Sequence, residues 1–150
     1  MIKKFELDLS SKITFLGIEL FRIKALVSFG DVEKGEFGGY VQKEENLSHS
    51  GDAWVYGNAK VYGNAEVYGD AWVSGNAKVS KIDDYIVFKN TWSSGRYFTY
   101  TRSNKMWKVG CFCGTGEELI KKAYQDSKES GNHYEAYVNF VKTLEVLDEN

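Results

Sequence analysis

The chain has 150 residues, enough for one domain or two small ones, and its 19 basic and 21 acidic residues leave a net charge of −2. That balance excludes the electrostatic footprint of a nucleic-acid binder and the polybasic cluster of a membrane-surface protein. No apolar run approaches the roughly 20 residues of a membrane-spanning helix, and the opening MIKKFELDLSSK lacks the apolar core of a signal peptide. A cytoplasmic location is therefore expected, and only two cysteines fit it.

Residues 3–29 read as strands. Phe21, Ile23, Ala25 and Val27 alternate with Arg22, Lys24 and Ser28, the pattern of a half-buried strand. Phe29-Gly30-Asp31 ends the run, and Gly35, Gly38 and Gly39 make a flexible entry to the next segment. Residues 1–36 are expected to form an N-terminal β-hairpin that acts as a cap.

Between Gly51 and Ser80 stand five tandem six-residue repeats: GDAWVY, GNAKVY, GNAEVY, GDAWVS and GNAKVS. Gly followed by Asn or Asp tolerates left-handed backbone and marks a corner. Ala and Val stand two apart, so on a short strand they face the same side and suit a narrow interior. The residue between them (Trp54, Lys60, Glu66, Trp72, Lys78) points the other way, and its variability is that of a solvent-facing slot. The fourth and fifth repeats reproduce the first and second, down to Asp and Trp and to Asn and Lys, at an offset of 18 residues. Trp54 is therefore expected beside Trp72, Asp52 beside Asp70 and Lys60 beside Lys78, at about 0.2–1 kcal/mol per cross-strand pair. These features predict a short left-handed parallel β-helix over 37–83, in a mainly β protein.

After Ser80 the period stops. Tyr85–Phe88, Arg96–Tyr100 and Met106–Val109 read as three strands separated by turns. Thr115-Gly116-Glu117-Glu118 is a capping box that opens a helix, and Asn132 with Glu135 sets up a second. Residues 84–150 are thus expected to be a small β-β-β-α-α unit. Cys111 and Cys113 lack the second cysteine pair that would complete a zinc site, and at least one reads as a buried hydrophobe.

The repeats resemble the hexapeptide-repeat family. Phe29–Gly35, Gly38-Gly39-Tyr40, Glu44–Ser48 and Val109–Thr115 extend the likeness to small uncharacterised proteins of bacteria and their phages and prophages. The resemblance implies a three-sided prism and frequent trimers. Related longer proteins are labelled transferases on fold analogy, which is weak grounds for an activity.

No phosphate-binding loop, nucleophile elbow or zinc-protease motif occurs. His49 and His133 read as capping or packing residues, so no catalytic residue, metal or cofactor is expected. Trp54 and Trp72, flanked by Lys60 and Lys78, are costly to leave in water and mark an interface. Tyr56, Tyr62 and Tyr68 could stack a nucleotide base. The expected function is a non-catalytic binding protein, homo-oligomeric, phage- or prophage-encoded and host-directed, with a host protein such as a bacterial defence enzyme as its target. The alternatives are a hexapeptide acyl- or sugar-nucleotide transferase, and a small-ligand binder at inter-subunit pockets.

Overall fold

The computed structural model describes residues 2–148. Strands β1 (Phe5–Phe15) and β2 (Ile18–Ala25) form a hairpin turned at Leu16 and Gly17, both with positive φ (49° and 80°). A two-residue turn of this kind matches the twist of the strands it joins. β2 then pairs antiparallel with β3 (Phe37–Val41).

At β3 the sheet changes character. Its other edge pairs in parallel with β5 (Lys60–Val61), and β5 pairs in parallel with β7 (Lys78–Val79). A separate two-stranded parallel ladder joins β4 (Trp54–Val55) to β6 (Trp72–Val73). A single parallel bridge links Leu47 to Val67. The 18-residue registers Trp54–Trp72 and Lys60–Lys78 thus hold. The Ala and Val of all five repeats are buried, none more than 4% exposed. Each repeat opens on a glycine with φ between 56° and 71°, where a side chain would be strained.

These registers do not add up to the left-handed parallel β-helix expected over 37–83. The sheets are mixed or antiparallel, the repeat strands are two residues long, and no sheet closes or stacks into a solenoid. The assignment to the hexapeptide-repeat family is corrected accordingly. The physical reason is length. Five repeats supply at most two strands to any face, too few to bury a continuous core by themselves. The largest sheet, β1-β2-β3-β5-β7, grows instead by antiparallel addition of the N-terminal hairpin. The fold is mixed α and β rather than mainly β.

Beyond the repeats lies an antiparallel sheet in the order β11-β10-β9-β8, made of β8 (Tyr85–Lys89), β9 (Tyr97–Thr101), β10 (Met106–Val109) and β11 (Phe112–Gly114). Helices α1 (Gly116–Asp126) and α2 (Lys128–Asp148) pack with it. Three of these strands match the sequence reading, and β11 is additional. It is a short edge strand that leaves both Cys111 and Cys113 exposed, so neither is the buried hydrophobe expected. Thr115 caps α1 as its capping box predicts, accepting from the Glu118 N–H. α2 begins before Asn132 because the Ser127 hydroxyl accepts from the Ser130 N–H and caps it earlier.

Two hydrophobic cores result. The first runs from Phe5 through the repeat interior to Val79 and Tyr85. The second gathers Phe98, Tyr100 and Trp107 against Leu119, Tyr134, Val138 and Val141. Hydroxyls from the second unit close the open end of the repeats. Thr99 Oγ1 accepts from the Trp72 N–H at 3.0 Å, and Ser103 Oγ accepts from the Lys78 N–H at 2.7 Å. Among the described residues, no helix is long and apolar enough to cross a membrane.

Candidate ligand cleft

Where the two cores meet, a cleft of about 420 Å³ opens. One wall comes from the loop before β3 and from two repeat corners: Gly30, Asp31, Asp52 and Asp70. The other comes from β9, β10 and their flanks: Arg96, Tyr97, Thr99, Lys108 and Gly110. Trp72 joins the two, because its backbone N–H donates to Thr99 and its Nε1–H donates to the Asp52 carbonyl at 3.0 Å.

The acidic wall follows from the repeat. Asp52 and Asp70 are the corner residues of repeats 18 positions apart, and the Asp52 N–H donates to Asp70 Oδ1 at 3.3 Å. Asp31 arrives with the Phe29–Val32 loop, which the antiparallel bridge between those two residues closes. On the basic wall, the Lys108 ammonium donates to the Gly110 carbonyl and lies 5.6 Å from the Trp72 ring and 5.8 Å from Tyr56. A cation over aromatic faces at this range is held electrostatically. Tyr56 packs on Trp72 with ring centroids 5.0 Å apart, and burial, reinforced by Glu36 and Asp31, pushes its hydroxyl pKa well above the usual range.

The charges lining the cleft are of both signs, yet none of the ion pairs among the described residues involves Asp31, Asp52, Asp70, Arg96 or Lys108. A further cation, Lys4, interacts with Asp52 and Asp70. It is only 3% exposed, and its Nζ donates to the Ala53 carbonyl at 2.6 Å and the Gly51 carbonyl at 3.3 Å. Burial lowers its pKa to about 8, against the pull of the two aspartates.

A second cleft, of about 430 Å³, shares Asp70 and Tyr97 with the first. Its other lining residues are Tyr68, Gly69, Tyr85, Ile86 and Val87. Tyr68 and Tyr97 are about half exposed, at 51% and 48%. The Tyr85 hydroxyl donates to the Glu66 carbonyl at 2.9 Å, which fixes its ring.

The residues singled out in the sequence disperse. Trp54 lies in the first core at 0% exposure, with the Phe29 ring edge-on at 5.2 Å and Gly38 against it. The variable slot of the repeat is therefore not uniformly solvent-facing. Trp72 reaches the first cleft, with Tyr56 against it, and Tyr68 reaches the second. Lys60 and Lys78 lie on another face, 5.3 Å and 5.6 Å from the Phe15 ring, and Tyr62 packs edge-on to that ring.

His49 is not set up as a base. His49 Nδ1 accepts from the Lys4 N–H at 3.0 Å, so in the neutral ring Nε2–H donates to the Glu44 carboxylate at 2.9 Å, and no lone pair is left for a substrate proton. Its ring stacks on Phe5 at 4.3 Å. His133 stacks on Trp92 at 4.3 Å, and its Nδ1 is engaged by the Glu129 carbonyl at 2.8 Å. Among the described residues, no group of three or more His, Cys, Asp or Glu is placed to hold a metal ion.

Asp31, Arg96, Tyr97 and Lys108 escaped the sequence reading. The one usable signal was the recurrence of Asp, in place of Asn, at the corners of the first and fourth repeats. No family model matches the chain, and no curated protein matches it.

Proposed function

We propose that the protein is a non-catalytic binding protein whose ligand occupies the first cleft and carries both a cationic and an anionic group. One observation carries this reading: carboxylates and cations line the same cleft, and none of them forms an ion pair. Held apart by the fold, they retain their interaction energy for a ligand, which is the advantage of preorganised polar groups in a concave site. An ammonium group would face Asp31, Asp52 and Asp70, and a carboxylate would face Arg96 and Lys108. Trp72 and Tyr97 offer aromatic surface between them. The occupied nitrogens of His49 support binding over catalysis. The two free, exposed thiols support a reducing compartment such as the cytoplasm.

The test is thermal unfolding in the presence of zwitterions (free amino acids), singly charged analogues (a primary amine, a carboxylate) and nucleoside monophosphates. Zwitterions are expected to raise the melting temperature. A ligand at about 100 times its dissociation constant stabilises by about 2.7 kcal/mol. The double variant Asp52→Asn/Arg96→Gln is expected to lose the shift while keeping its own fold. Equal shifts from singly charged compounds, or none from zwitterions, would sink the proposal.

A further inference from the structure

The second cleft deepens the binding role proposed for the first, and its own assignment rests on that role. The two clefts share Asp70 and Tyr97 in their linings, so they adjoin at these two residues. The change of lining across that boundary is chemical. The first cleft carries five charged residues, whereas beyond Asp70 the second offers the tyrosine, isoleucine and valine side chains of Tyr68, Tyr85, Ile86 and Val87. At about 420 and 430 Å³, the two clefts together fall within the range typical of small-molecule sites and give more room than a bare amino acid fills.

We propose that the ligand is a short peptide with a free amino terminus and an apolar or aromatic first side chain. Its ammonium group sits at Asp70 and Asp52, at the junction of the clefts. From there the first side chain enters the second cleft, between Tyr68 and Val87. The backbone runs the other way, through the first cleft, and brings the terminal carboxylate to Arg96 and Lys108. Charge complementarity sets the polarity of the chain: with Asp70 at the boundary and the cations on the wall of the first cleft alone, the reversed peptide would bring its carboxylate against Asp70. The aromatic and aliphatic lining sets the side chain, because an apolar one removes more apolar surface from water there than a polar one does.

Isothermal titration of the whole chain with Leu-Gly, Gly-Leu, Gly-Gly, free leucine and N-acetyl-Leu-Gly tests this. Leu-Gly is expected to bind about tenfold or more tighter than Gly-Gly and Gly-Leu, the gain from burying one leucine side chain. Acetylation of its amino group is expected to abolish binding. Tyr68→Ala, at a half-exposed position that does not threaten the fold, is expected to reduce the preference for Leu-Gly over Gly-Gly severalfold and to leave Gly-Gly unchanged. Zwitterions that bind with no preference for Leu-Gly, or a preference untouched by Tyr68→Ala, would overturn the peptide assignment and leave the first cleft's role standing. Failure of every zwitterion to bind would overturn both.

Discussion

The buried carboxamide of Asn46 donates to the carbonyl of Ala65 across 2.8 Å. The same Nδ2 donates to the Gly63 carbonyl at 3.2 Å, and Oδ1 accepts from the N–H groups of Gln42 and Lys43. All four hydrogen-bonding positions of the amide are used, at 0% exposure. Asn46→Ala strips partners from backbone groups on two segments at once. It is expected to cost about 3 kcal/mol, since each buried group left unpaired costs about 1–3 kcal/mol. Urea unfolding reads the difference, and a loss under 1 kcal/mol would show that water replaces the amide without penalty.

Trp54 presents the opposite situation, because its buried Nε1–H has no hydrogen-bond partner. Trp54→Phe keeps an aromatic ring and removes the orphaned donor, so its cost is expected to stay below about 1.5 kcal/mol. Trp54→Ala leaves a cavity in the first core and is expected to cost about 3–5 kcal/mol. Equal losses in the two variants would mean that the indole's polar atom is immaterial and that its full volume decides.

Gly38, on β3, lies tight against the repeats. A Cβ there would stand 2.5 Å from the Val55 carbonyl oxygen and 2.8 Å from Trp54 Cζ2. Backbone cannot yield as a flexible side chain can, so Gly38→Ala is expected to destabilise by about 2 kcal/mol or more. A melting temperature equal to that of the wild type would refute this contact.

Stability should peak in alkaline solution, at about pH 10, where the two opposing limbs cross. The pKa of Lys4 falls to about 8 in the folded protein, so between there and its ordinary value of 10.5 the unfolded chain binds more protons and stability rises with pH. Burial raises the pKa of Tyr85 to about 12 and raises those of Tyr56 and Tyr100 as well. Above pH 10 the unfolded tyrosines lose protons that the folded ones keep, and stability falls. Melting temperatures across pH 7–12 are expected to trace this maximum. Lys4→Met is expected to remove the rising limb and keep the falling one.

Thr115 is a simpler case. Its hydroxyl accepts from the Glu118 N–H at 3.2 Å, while Glu118 Oε1 accepts from the Thr115 N–H at 2.9 Å. Thr115→Ala is expected to cost about 1 kcal/mol in urea unfolding. An unchanged midpoint would show that the rest of the second core holds α1 in place without the cap.

Features set by neighbours in sequence could be read from the chain. The 18-residue registers, the buried Ala and Val slots, the glycine corners and the Thr115 cap all depend on residues a few positions apart or on exact repetition. Features set by docking could not. Trp54 and Trp72 occupy the same slot of repeats that differ only in their sixth residue, yet one is in the core and the other lines a cleft, because Phe29 and Gly38 pack on the first whereas Gly30 and Asp31 only border the cleft at the second. The extent of parallel pairing was overestimated for a related reason: repeat chemistry specifies corners and interior but not how many strands a face acquires. Arg96 and Lys108 share a cleft with Asp52 and Asp70 only because the two cores pack side by side, and no spacing in the sequence encodes that meeting.

The two-core construction makes the first cleft a mechanical joint as well as a pocket. Its acidic wall stands beside one core and its basic wall beside the other, so any occupant that grips both charges stitches them together. If free protein opens along this seam before either core melts, the Trp72 and Lys78 amides held by Thr99 and Ser103 exchange their hydrogens earlier than those in the repeat interior. Occupancy would abolish that early opening. Hydrogen exchange at the seam thus becomes a gauge of whether the cleft is filled, legible even when the occupant itself is invisible.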